Sequence, residues 1–162
     1  MRQSILSLSI IGCVALLAGC SSMPMHRAGA PDYVTNSAEI VKAANWDQMQ
    51  TVTIELSEHD FEPKHLKLKA NQPYRLVIKN TGEADHYYTA EKFFKSVAWR
   101  KVMSSRPHGG EIKAPYFTAI EAFKKGGAVE LYFVTVGKGT YEVICTIDDH
   151  KEKGMTGSIT VE

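Results

Sequence analysis

The chain is sparing in cysteine, in net charge and in long apolar runs, and each shortage excludes a class of protein. Three cysteines, at positions 13, 20 and 145, leave little material for a disulfide framework. The 19 basic and 18 acidic residues nearly cancel, which argues against nucleic acid, a partner that would demand a basic excess. The apolar run from Ile5 to Leu17 is too short for a stable membrane span. There is no internal repeat and no low-complexity block. No Ser-His-Asp set, phosphate loop or pair of catalytic acids is visible, so an enzyme is not expected. What remains, 162 residues with 44% apolar content, suits one domain with appendages.

The N-terminal appendage begins with the charged Met1-Arg2, continues through the apolar core and ends in Leu17-Ala18-Gly19-Cys20. This reads as a secretory signal over residues 1–20. Its ending resembles a bacterial lipoprotein signal, which implies a lipidated Cys20; ordinary secretion with cleavage nearby is the alternative. Acyl chains on Cys20 would tether the chain to a bilayer without spanning it. A periplasm-facing lipoprotein of the cell envelope is therefore expected, with Ser21 favouring the outer membrane. Residues 21–46 read as a tether with a short helix from Ser37 to Ala44, Ser37 acting as its N-cap. Extended, roughly 16 tether residues reach about 50–60 Å. Met23-Pro24-Met25-His26 within it has the donors to hold a cuprous ion loosely, although incidental methionines are the plainer reading. With Cys13 removed and Cys20 lipidated, Cys145 stands alone, and an unpaired thiol in an exported protein needs an explanation. Metal ligation supplies one.

The chemistry concentrates near the C-terminus, where Cys145, His150 and Met155 are separated by four residues each. A thiol, an imidazole and a thioether together suit copper in its cuprous and cupric states. Tyr141, Val143 and Cys145 alternate with Glu142 and Ile144, the period of a strand, which places the thiol on the inner face at the strand's end. Gly139-x-Tyr141-x-Val143-x-Cys145, then His150, Gly154-Met155 and a strand from Gly157 to Val161, resemble the last hairpin of a cupredoxin. These are the blue, type 1 copper proteins such as plastocyanin, azurin and rusticyanin, and the spacing is most similar to the rusticyanin-like branch. The resemblance implies a mostly β, Greek-key sandwich over residues 47–162. It also implies one copper ion held by two His, one Cys and a weak axial Met, so that Cys145, His150 and Met155 require an upstream His.

His86 is the upstream ligand that the resemblance implies, because Asn80-Thr81-Gly82-Glu83-Ala84-Asp85 resembles the Asn-x-Gly loop preceding the first His ligand. His108, in Ser105-Arg106-Pro107-His108-Gly109-Gly110, is the rival. His59 and His65 read as solvated. Thr51 to Leu56, Tyr74 to Asn80, Phe117 to Phe123 and Val129 to Thr135 read as strands, and Phe61-x-Pro63 resembles the turn that leads into two paired strands. Asn71 stands where a glycine is usual in the following turn and tolerates a left-handed backbone. Asp85, Asp148 and Asp149 stand close to the ligands in sequence, and carboxylates there would favour the cupric state and lower the potential.

Residues 91–115 depart from a minimal cupredoxin. Phe93, Phe94, Val97, Ala98 and Val102 fit one face of a helix from Glu91 to Met103, with Lys92, Lys95, Arg100 and Lys101 on its basic side. Such a helix would cap the sandwich or dock an acidic redox partner. The resemblance implies a lipid-anchored single-electron carrier, monomeric, meeting a cytochrome or oxidoreductase. A protein that scavenges, stores or delivers copper with the same site is the alternative.

Overall fold

The computed structural model describes residues 32–105 and 109–162. The leader with Cys20, the Met23–His26 segment and His108 lie outside the described residues. In chain order the elements are α1 (Ser37–Ala43), a 3-10 turn (Trp46–Gln48), β1 (Gln50–Ser57), β2 (Asp60–Glu62), β3 (His65–Leu68), β4 (Pro73–Asn80), β5 (His86–Thr89) and α2 (Glu91–Lys95). They continue with β6 (Val97–Ser104), β7 (Glu111–Ile112), β8 (Ala119–Ala122), β9 (Ala128–Thr135), β10 (Gly139–Ile144) and β11 (Thr156–Val161). Helix α1 is capped by position Asn36, not Ser37, and no side chain makes the capping bond.

The strands form two sheets, β2-β1-β4-β9-β6-β7 and β3-β11-β10-β5-β8. Two pairings, β1 with β4 and β3 with β11, are parallel, and the rest are antiparallel. Strands β3 and β4 were expected to pair with each other, but they sit in different sheets. The chain crosses between them at Ala70–Gln72. Ala70 N–H donates to the Glu162 carbonyl behind one sheet, and Asn71 N–H to the Thr135 carbonyl in the other. Asn71 takes φ 57°, the left-handed turn its side chain tolerates.

Alternation along the strands builds the core between the sheets. Ile54, Leu56, Leu76, Ile78, Leu131 and Phe133 point inward from one sheet, and Tyr88, Ile120, Val143 and Ile159 from the other. Phe61 and Tyr88 meet edge to face at 5.3 Å. Burial pushes the Tyr88 phenol far above its ordinary range, so it stays neutral. At the opposite end from the site, an aromatic cluster of Phe93, Phe94, Trp99, Phe117 and Phe133 closes the sandwich.

The long helix expected over 91–103 is a short one. It stops at Lys95, and Val97–Ser104 pairs with β9. A bulge between Trp99 and Lys101 explains the misleading pattern. One extra residue in a strand breaks its alternation, and the buried residues Val97, Ala98 and Val102 then fall at helix-like spacing. The β-branched and aromatic residues of this stretch favour the strand. The basic face dissolves accordingly: Lys95 pairs with Glu91 at 2.8 Å, the Arg100 guanidinium lies 4.2 Å over Trp46, and the Lys101 ammonium lies 4.5 Å over Tyr132.

Asn80 controls the passage from this scaffold to His86. It is fully buried; its side-chain amide donates to the Ala84 and Ala122 carbonyls at 2.8 Å each, and its Oδ1 accepts from Gly82 N–H at 2.9 Å. Removing that amide would strand buried polar groups, each worth about 1–3 kcal/mol. Asn80→Ala is expected to lower the unfolding free energy by about 3 kcal/mol in a urea titration, with the β4–β5 loop the first region to lose amide protection.

Candidate metal centre

Each donor reaches the site from a different element. His86 opens β5, where pairing opposite Ala122 fixes its backbone. Cys145 follows the last residue of β10, and its buried side chain continues the inward face of Val143. His150 and Met155 come from the loop between β10 and β11. That loop folds back tightly: His150 N–H donates to the Ile147 carbonyl at 3.0 Å and Lys153 N–H to Asp149 at 3.0 Å. Gly154 takes φ 100°, a left-handed turn natural to glycine, which reverses the chain just before Met155.

Two further backbone bonds close the loop. Met155 N–H donates to the His150 carbonyl at 2.9 Å, and Cys145 N–H donates to the Met155 carbonyl at 3.0 Å. Three of the four sequence-predicted donors are thereby tied to one another through the main chain. Met155 is fully buried in this position.

The side chains of His86, Cys145 and His150 converge, with one donor atom from each lying within 4.8 Å of the other two. The Cys145 sulfur is 4.0 Å from His86 Nδ1 and 3.4 Å from His150 Nδ1. The two imidazole rings are 5.1 Å apart. His86 is fully buried and His150 is 9% exposed. Burial, and then the proximity of His150, hold the His86 imidazole below its ordinary range. Both effects favour the neutral ring, the form that has a lone pair to offer. Its Nε2 is the buried side-chain atom left without a partner among the described residues. The Tyr87 backbone N–H donates to the Cys145 sulfur at 3.4 Å, a bond that stabilises negative charge on that atom. A buried thiol facing two imidazoles is a donor set that fits copper.

Two of the nearby carboxylates, Asp85 and Asp149, are engaged elsewhere. Asp85 accepts from Lys124 N–H at 2.8 Å. Asp149 is exposed and paired with Lys153 at 2.9 Å, which holds its carboxyl below the usual range. An exposed, ion-paired carboxylate interacts weakly with a buried group. His65 is solvated as expected, its Nδ1 2.9 Å from Ser158 Oγ. His59 is not. Its ring meets His150 edge to face, centroids 4.9 Å apart. Sequence reasoning passed over it because its neighbours Glu58 and Asp60 are charged and exposed. The signal that a tight turn holds it against a loop 91 positions later is absent from local sequence.

A family model described as a Cupredoxin-like domain matches residues 34–161. Among solved structures, a multicopper oxidase from Campylobacter jejuni aligns with a TM-score of 0.50 and 18% identity, over 69% of this chain and 30% of that one. Copper nitrite reductase from Nitrosomonas europaea aligns with a TM-score of 0.51 and 14% identity, over 77% of this chain and 52% of that one. Auracyanin from Roseiflexus castenholzii gives a TM-score of 0.48 and 21% identity, over 74% of this chain and 99% of that one. The chain thus spans less than a third of the oxidase and about half of the reductase, and at these identities the likeness is one of fold. No curated protein sequence matches it. The family match takes in most of the chain, and with the two-sheet sandwich and its His-Cys-His cluster it establishes that this protein belongs to the cupredoxin-like domain family.

Proposed function

We propose that this protein is a copper-binding single-electron carrier of the cell envelope, tethered to a membrane by lipid on Cys20. The observation that carries the reading is the convergence of the Cys145 sulfur with His86 Nδ1 and His150 Nδ1 in a buried site. Copper bound there would supply a one-electron couple between its cuprous and cupric forms. His86, Cys145 and His150, with Met155 as a fourth donor, would hold it.

The chain's own contribution is to keep those donors still. Cys145 and Met155 sit at the adjoining ends of paired strands, where Ile144 is in register with Thr156. His86 is held from behind by β8. Donors fixed by sheet backbone move little when charge at the centre changes, which favours fast exchange. The Tyr87 N–H offsets charge on the sulfur without competing for a coordination position. With four side chains committed, no open position is left for a substrate, as a catalytic metal site requires. That argument favours a carrier over an enzyme. The partner of such a carrier would be a cytochrome or oxidoreductase.

Loaded with cupric ion, the chain from Ser21 onward is expected to show intense thiolate-to-copper absorption in the visible, and Cys145→Ser to abolish it. A colourless wild-type product would remove the copper reading. His86→Ala is expected to weaken copper binding by more than about 100-fold, beyond the 10–100-fold typical of losing an outer-shell partner; competition against a chelator measures it. Voltammetry separates carrier from copper handler. A reversible one-electron wave supports the carrier, whereas an irreversible response together with copper transfer to an apo-acceptor supports scavenging or delivery.

A further inference from the structure

The turn between β1 and β2 touches both loops that bring imidazoles to the site, although neither of its residues is a donor. Ser57 is in register with Asp60, so Glu58 and His59 form a two-residue hairpin loop. The Glu58 carboxylate accepts a short hydrogen bond from Glu83 N–H in the loop leading to His86. That bond holds the Glu58 carboxyl below its usual range. Gly82 makes room for it, since a Cβ there would lie 2.6 Å from Glu58 Oε1. On the other side, the His59 ring lies edge to face on His150.

The backbone of this turn adds an independent observation. His59 has φ 64°, in the left-handed region that glycine occupies at no steric cost. Tight hairpin loops place Gly, Asn or Asp at such positions for that reason. A histidine, one of the few non-glycine residues found often in this region, here keeps an imidazole in contact with His150.

We propose that the β1–β2 turn is a clasp on the metal centre, with Glu58 steadying the loop before His86 and His59 acting as a positioning residue that holds the His150 ring in its ligating orientation. The inference rests on His86, Cys145 and His150 being the copper ligands. The clasp joins parts of the chain that are otherwise held separately, because His86 belongs to β5 and His150 to the β10–β11 loop. An aromatic edge against the His150 ring restricts its rotation, as outer partners of ligating histidines generally do. His59 acts through this contact, so a ring of similar shape without a titrating nitrogen would do the same.

The test compares full-length wild type with His59→Gly, His59→Phe and Glu58→Ala. Glycine relaxes the turn, so His59→Gly is expected to keep or raise thermal stability while releasing copper to a chelator about tenfold faster. His59→Phe is expected to restore slow release. Glu58→Ala is expected to speed hydrogen exchange at the Glu83 amide and to leave the amides of β1 unchanged. A readout without metal accompanies these. In the apoprotein, the nuclear Overhauser effect between the His86 and His150 rings, 5.1 Å apart, is expected to persist in wild type and His59→Phe and to fall at least twofold in His59→Gly. Should His59→Gly preserve both that ring contact and the wild-type release rate, the clasp is wrong. Failure of wild type to take up copper would instead overturn the functional reading, and the apoprotein ring contact would still decide the clasp.

Discussion

The hydrogen bond from Cys145 N–H to the Met155 carbonyl closes the ligand loop, and the site depends on that closure. It extends the β10–β11 ladder by one step beyond Ile144 and Thr156. The nine residues between Cys145 and Met155 must therefore leave and return at the width of a strand pair. The Met155 N–H to His150 bond divides that excursion, so the imidazole returns toward the sulfur. A loop of this length without internal bonds would sample many shapes, and ordering it would cost about 1–2 kcal/mol per residue. Its own backbone bonds and the positive φ of Gly154 narrow that ensemble in the folded chain.

Around this hairpin the two sheets do different work. The sheet containing β1, β4, β9 and β6 carries most of the large inward side chains and closes one end with an aromatic cluster. The sheet containing β5 and β10 supplies donors, and those two strands share only the register pair Ile144 and Thr89. Their relative position near the site therefore rests on packing and on contacts across loops, including Asn80 behind His86 and the Glu58–His59 turn in front. Burying a thiol and two imidazoles opposes folding unless their polar atoms are satisfied. The first sheet offsets that cost by burying apolar area elsewhere.

Much of this was legible along the chain. Alternation identified β1, β4, β9 and β10 because each buries one face, and a period of two survives wherever pairing is regular. The donor spacing Cys145, His150, Met155 was legible because all three belong to one hairpin. The stretch from Val97 to Ser104 was misread because its bulge at Arg100 replaces a strand period with helical spacing. The sheet assignment of β3 was missed for a related reason. Its partner is β11, more than 90 positions away, and no local pattern records a parallel partner.

Sequence by itself determined the donor types, their spacing in the last hairpin, the alternation of the main strands and the need for a left-handed turn at Asn71. These are local properties, set by side-chain chemistry and by backbone preferences over a few residues. Tertiary structure alone decided that His86 meets Cys145 across 59 positions, that Asn80 folds its amide under the intervening loop, and that His59 lies against His150. Such contacts depend on how two sheets stack and where their loops converge, and that geometry follows from the packing of the whole core.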